Sequence, residues 1–147
     1  MKQFNDSLEG MGGIFKLNVF ESGVLIEAYE DRNLIVANGR VGLMALLASA
    51  DSQKAVTQIS FGTNGAAPVL TDVSITGAFK KALTSTSFPS ANSVAFNFTL
   101  EQTESNGVTI REFGLNHADN SLFARKVRSP IEKTASIRLE GVWTIVF

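Results

Sequence analysis

If this chain does chemistry, few of its residues are suited to it. The stretch Thr109–Leu115, TIREFGL, sets Arg111 beside Glu112 inside an otherwise strand-like run. Such a pair is either a carboxylate tuned for proton transfer or a piece of architecture. A nucleophile triad needs a histidine base, and the only histidine is His117, next to the polar turn that follows. With no nucleophile paired to it, His117 reads as an exposed loop residue. One histidine and no cysteine cannot build a His/Cys metal centre. The oxygens of Asp31, Asn33, Asp72, Asp119 and Asn120 could serve calcium or magnesium. None of them falls in a loop of fixed ligand spacing, and Asp and Asn favour turns for local reasons. GTNG at 62–65 lacks the Gly-Lys-Ser/Thr end of a phosphate loop and reads as a turn between strands. Glycosidase-type carboxylates meet only in space. Here Glu101, Glu104, Glu112, Glu132 and Glu140 fall where solvated strand or loop positions are expected. The expectation is therefore no catalytic residue, no cofactor and no metal.

The elements that would position these residues lie in a chain of 147 residues with 13 basic and 14 acidic side chains, the size of one ordinary domain. A domain of this length buries about two thirds of its unfolded surface, enough to fold without disulfides or a metal. The absence of cysteine fits a reducing compartment. Charges of both signs are dispersed, with no basic block for nucleic acid and no polybasic amphipathic segment for a membrane surface. The longest apolar run, Leu43–Ala48, is too short to span a bilayer. The first residues are polar and glycine-rich, unlike a signal peptide. We expect residues 1–13 to form a flexible arm that orders on a neighbouring subunit, and 14–147 to form one β-rich assembly domain.

Within that domain, runs 14–20 and 24–29 flank Glu-Ser-Gly, and Gly23 supplies the positive φ of a tight β-hairpin. EDRN at 30–33 breaks the pattern, and 34–36 reads as a short separate strand. Residues 39–50 read as the one helix, capped by Asn38, with Val41, Met44, Leu47 and Ala48 on its apolar stripe. A second helical turn is expected near 70–75. A short strand ends at Ile59 and Phe61. In Ser93–Leu100, Val94, Phe96, Phe98 and Leu100 alternate with polar or small residues, as in a half-buried antiparallel strand. SNG at 105–107 signals a hairpin into the strand that holds TIREFGL. Asn120 suits a left-handed turn before the strand 122–127. The final strand places Ile137, Leu139, Gly141, Trp143, Ile145 and Phe147 on one face. The sum is a mainly β, antiparallel sandwich or barrel-like domain with one helix.

The period also decides how TIREFGL is built. Val108 and Ile110 put the buried face on even positions, whereas Phe113 and Leu115 put it on odd ones. A β-bulge at Arg111-Glu112 absorbs the difference and re-aims both charged side chains outward. Gly114 permits close backbone approach. The basic residues Arg111, Arg125, Lys126, Arg128, Lys133 and Arg138 read as a solvated sheet face or a subunit interface.

Three segments taken in order resemble a known family: DRNLIVANGR (31–40), ISFGTNGAAPVLTDVSI (59–75) and NGVTIREFGLNHADNSLFARKV (106–127). They resemble the tail-collar fibre and tail-fibre attachment domains of tailed bacteriophages, over roughly residues 14–147. In that family a strand ends in an FG-G turn followed by a P…TD segment. A later hairpin carries GxTIREhGL, with h apolar, then a turn and LFA. This chain departs from many members at Asn116–Asn120, where they carry an acidic residue and Gly.

The resemblance implies an oligomeric, often trimeric, adaptor that joins fibre or baseplate components to the tail, without catalytic residues or cofactors. It makes Arg111, Glu112, Phe113, Gly114 and Leu115, with Gly62, Asp72 and Asn33, the structural and assembly motif. The implied partners are copies of the chain itself, as a homotrimer or another homo-oligomer, and other tail, baseplate or fibre proteins. Nucleic acid and membrane are not among them. The implied location is the virion tail, after synthesis in the host cytoplasm. With no receptor-binding extension after Phe147, a small collar, baseplate or fibre-network subunit is expected. The alternative reading is a carbohydrate-binding β-sandwich module that touches the host surface, although the single Trp and single Tyr offer it little aromatic platform. An enzyme such as a peptidoglycan hydrolase would need a constellation that the sequence does not display.

Overall fold

The computed structural model describes residues 10–147. Its elements are β1 (Gly12–Glu21), β2 (Val24–Ile35), α1 (Ala37–Leu47), β3 (Val56–Gly62), β4 (Phe79–Ala82), β5 (Ser85–Ser90), β6 (Ser93–Leu100), β7 (Thr109–His117), β8 (Leu122–Glu132) and β9 (Ile137–Val146). A 3-10 turn at Ser52–Lys54 follows the helix. All strand pairs are antiparallel, in the order β4-β3-β7-β8-β2-β1-β9-β6-β5. The expected mainly β, barrel-like fold with one helix is the fold observed, and its sheet is curled into a half-barrel. Side chains from the two halves of the sheet meet inside the curl. The rings of Phe15 and Phe113 are 4.9 Å apart between centroids, and those of Phe61 and Phe98 are 6.1 Å apart. Consecutive residues link the ends of the strand order: Leu83 N–H donates to Thr57 O beside β4, and Thr84 N–H donates to Asn97 O on β6.

Alternation explains the most regular strands. On β9, Ile137, Leu139, Gly141, Trp143 and Ile145 are buried while their neighbours are not. The β1–β2 hairpin turns through Ser22 and Gly23, both at positive φ, with Glu21 opposite Val24. This matches the twist of the flanking strands. Asn120 is at positive φ, between β7 and β8.

Several expectations are corrected. EDRN does not break the strand: Glu30, Asp31 and Arg32 pair with Lys16, Phe15 and Ile14, and β2 runs unbroken to Ile35. Asn38 does not cap α1. The cap position is Val36, which makes no side-chain bond, and Asn38 Nδ2 donates to Leu122 O at 3.3 Å. The helix ends at Leu47 rather than at residue 50. Near 70–75 there is a single turn at Leu70 and Thr71, closed by Asp72 N–H to Val69 O, and no helix. SNG is a turn, with Ser105 and Gly107 at positive φ, but it joins no hairpin. β6 lies between β9 and β5, whereas β7 lies between β3 and β8. Phe147 is exposed. Gly12 and Gly13 are not part of an arm, because they pair with Val146 and Ile145 of β9. Met11 packs against the core as well, and residues 1–9 of the expected arm lie outside the described residues. β4 and β5 were not anticipated.

The helix is also turned over. Val41, Met44 and Leu47 are 50%, 62% and 90% exposed, and the buried residues are Gly39 and Gly42. A Cβ at Gly39 would lie 2.3 Å from Phe123 O, and one at Gly42 would lie 2.4 Å from His117 Nε2. At these two positions the helix sits so close to β7 and β8 that only glycine fits, while half-buried Leu43 packs against the core beside them.

Candidate functional site

The outer face of β3, β7 and β8 carries Ser60 and Gly62, Glu112 and Gly114, and Arg125. These are small or polar side chains facing away from the aromatic core. The 63–78 segment folds back over this face. Ile75 descends onto Gly114, where a Cβ would come within 2.8 Å of it, and packs with Val36 and Leu122. A Cβ at Gly62 would meet Ile75 Cγ2 at 2.1 Å and Glu112 Oε1 at 2.6 Å. The two glycines thus make the trough that admits the segment. Changing Gly62 to Ala should destabilise the fold by about 1–3 kcal/mol through overpacking. Urea denaturation would show this as a lower midpoint at unchanged slope, and an unaltered midpoint would mean that the segment can lift off freely.

Beneath the segment lies an ionic clasp. Arg125 Nε donates to Glu112 Oε2 at 2.8 Å, Nη1 donates to Asp72 Oδ2 at 2.9 Å, and Nη2 donates to Asn64 O at 3.1 Å. The other oxygen of Glu112, Oε1, accepts from the backbone N–H groups of Asn64 at 3.1 Å and Thr76 at 2.8 Å. Asp72 Oδ2 also accepts from Val69 N–H at 2.9 Å. The Arg125 and Glu112 side chains are 2% and 1% exposed, so this pair is out of water. Further hydrogen bonds to both partners offset the cost of burying such a pair, and here both Glu112 oxygens and all three Arg125 nitrogens are bonded.

The expected motif divides accordingly. Gly62, Asp72, Glu112 and Gly114 come together at the clasp, while Phe113 and Leu115 face the opposite way, into the core. Arg111 is not the partner of Glu112: its stem lies against Gly65. Glu112 points outward, as expected, but it is buried rather than solvated. Asn33 is elsewhere and accepts from Trp143 Nε1 at 2.7 Å. The irregularity at Arg111 is present, with Ile110 opposite Ile131 and Glu112 opposite Val127. The extra residues are on β8, where 128–130 face Arg111 alone. Pro130 among them has no N–H to pair.

Arg125 is the residue that sequence reasoning missed. The sequence groups it with an exposed basic face, yet that group consists largely of internal ties. Backbone pairing of β2 with β8 is limited to Leu34↔Arg125 and Ile35↔Ala124. Beyond it, Lys126 bonds Asp31 Oδ2 at 2.6 Å and Arg32 O at 2.8 Å. Its hydrogen bond holds the Asp31 carboxyl below its ordinary range. Arg128 lies 4.6 Å from the Tyr29 ring centroid and pairs with Glu27. Lys133 is buried, with Nζ bonded to Gln102 O, Asn106 Oδ1 and Thr134 O.

His117 is buried in β7, not exposed in a loop. Nδ1 is 2.8 Å from Ser121 Oγ, and the ring stands edge-on to Phe123. Burial, helped by Lys54, pushes the imidazole below its ordinary 6.5, against the opposing pull of Asp119 and Asp51. The unfolded chain then takes up a proton where the folded one does not. The stability this group supports is complete above about pH 6.5 and falls as pH drops through that value towards the folded pKa. The urea midpoint should decline from pH 7.5 to pH 5, and His117→Gln should flatten the decline. Equal slopes in both proteins would reject this assignment.

A surface groove of about 410 Å³ lies away from the clasp, where Lys16, Glu30 and Glu140 line the outer face of β1, β2 and β9. Among the described residues no cluster of His, Asp and Glu could hold a metal ion, and no helix is long and apolar enough to cross a membrane. Trp143 is fully buried, and Tyr29 is covered by Arg128, so neither offers a sugar-stacking platform. The chain matches no protein-family model, no curated protein and no solved structure.

Proposed function

We propose that this chain is a non-enzymatic structural subunit of a bacteriophage tail, a collar, baseplate or tail-fibre adaptor that oligomerises and connects fibre or tail components. The observation that carries the reading is the clasp. The segments 59–75 and 106–127, which carry most of the resemblance to tail-collar and tail-fibre attachment domains, are bound to each other through Asp72, Glu112 and Arg125. Both oxygens of Glu112 and all three nitrogens of the guanidinium are engaged within the fold. A pair so committed holds a loop in shape. The polar residues of the signature serve a rigid platform, which is what an adaptor between larger parts requires.

The test is quantitative mass spectrometry of purified particles of the phage that encodes the chain. The protein should appear in tail fractions at a fixed copy number per particle. Its absence from particles that assemble normally would defeat the reading.

A further inference from the structure

We infer that the outward face of α1, together with the 69–73 turn beside it, is where two copies of this chain pack, helix against antiparallel helix. The inference rests on the oligomeric reading above and specifies the surface that would produce it.

Two adjoining elements expose large apolar side chains. The helix buries glycines and exposes Val41, Met44 and Leu47. The 63–78 segment reaches the clasp through the Asp72 carboxylate and the backbone of Asn64 and Thr76, buries Ile75, and exposes Val69, Leu70 and Val73. Ala37 N–H donates to Leu70 O at 2.9 Å, so turn and helix form one surface. Its six large aliphatic side chains, each exposed by half or more, make a patch on the order of several hundred Å². That is the scale of the roughly 800 Å² per partner that a stable pair buries.

The pattern favours a helix as occupant, and the charges favour a second copy. Ala37, Val41, Met44 and Ala48 follow a 4-3-4 spacing, the seam of helix-on-helix packing, with small residues at both ends that permit close approach. Arg40 is the only charged residue on α1 and lies in its first turn, where the helix dipole disfavours a cation. Asp51 lies just beyond the other end of the helix. An antiparallel second copy brings each Arg40 to the C-terminal carbonyls and Asp51 of the other, so two unfavourable placements become two favourable ones. A two-fold contact of this kind is self-complementary by construction.

The chain has no cysteine, which makes the test clean. Met44→Cys, treated with a short bis-maleimide at micromolar protein, should link into a species of twice the chain mass. Asn18→Cys, exposed on the outer face of β1, should link at least about tenfold more slowly. The double variant Val41→Glu/Met44→Glu should weaken self-association about 30-fold or more. Its melting temperature should stay near that of the parent, because both positions are exposed. Equal linking rates for the Met44→Cys and Asn18→Cys variants, or undiminished self-association of the glutamate variant, would overturn the inference. So would a wild-type chain that stays monomeric, including one that uses this face only for a different protein. If the protein is in particles and the glutamate variant still self-associates, this surface is wrong and the tail reading stands. If pairing is lost in the glutamate variant but the protein is absent from particles, the surface stands and the tail reading falls.

Discussion

Replacing Arg125 with methionine should lower the stability of the folded chain by about 3–5 kcal/mol. The reason is what remains behind. Glu112 would keep its two backbone donors, Asn64 and Thr76, but lose the cation that sits 2.8 Å from its second oxygen. Asp72 would lose its partner as well and, being partly exposed, could turn to water. The buried carboxylate has no such recourse. The double variant Glu112→Gln/Arg125→Met should therefore recover at least about 1 kcal/mol relative to Arg125→Met alone, since residues in one network couple. Glutamine still presents an oxygen to Asn64 and Thr76 without a charge to neutralise. Denaturant titration of the three proteins reads this directly. A loss below about 1 kcal/mol for Arg125→Met would mean that water reaches Glu112 and that the clasp is incidental.

Phe15→Ala should be of similar severity, about 3–5 kcal/mol, through a different mechanism. Phe15 is fully buried on β1 and is the point where the halves of the curled sheet meet. Its ring lies 5.0 Å from Trp143, 4.9 Å from Phe113 and 5.9 Å from Phe98 between centroids. Removing it leaves a cavity that rigid neighbouring strands cannot close. Phe15→Leu should lose clearly less, because most of the volume remains. Equal losses for Ala and Leu in thermal unfolding would show that aromatic geometry, rather than volume, is what this position supplies.

What could be read in advance, and what could not, follows from how many faces of each strand are covered. Residues 93–100 and 137–146 alternate because the sheet there has one buried and one wet face, so the period of two survives in the sequence. In β8, residues 122–126 are all buried, by the core on one side and by the helix and the 63–78 segment on the other. Alternation vanishes there, and Arg125 could not be told from a surface arginine. The available signal was its place directly after LFA, opposite a glycine of the neighbouring strand. β4 and β5 were hidden for the opposite reason: they are edge strands whose residues are exposed or only partly buried, and they carry no apolar pattern.

For the helix, the aliphatic stripe correctly announced a helical element but not which face is packed. Gly39 and Gly42 approach the sheet too closely for any side chain, and this reverses the usual rule. The turn chemistry of SNG was right locally, while the pairing of β6 with β9 was decided by contacts far along the chain. Glu112 illustrates the same limit at the candidate site. Its neighbour in sequence is Arg111, yet its partner is 13 positions away across a hairpin whose register is irregular.

The measurement that bears most directly on the account is the native mass of the purified 147-residue chain across the micromolar range. An adaptor that works through copies of itself should appear as a defined multiple of the 15.8 kDa chain. A single 15.8 kDa species at every concentration would contradict the account.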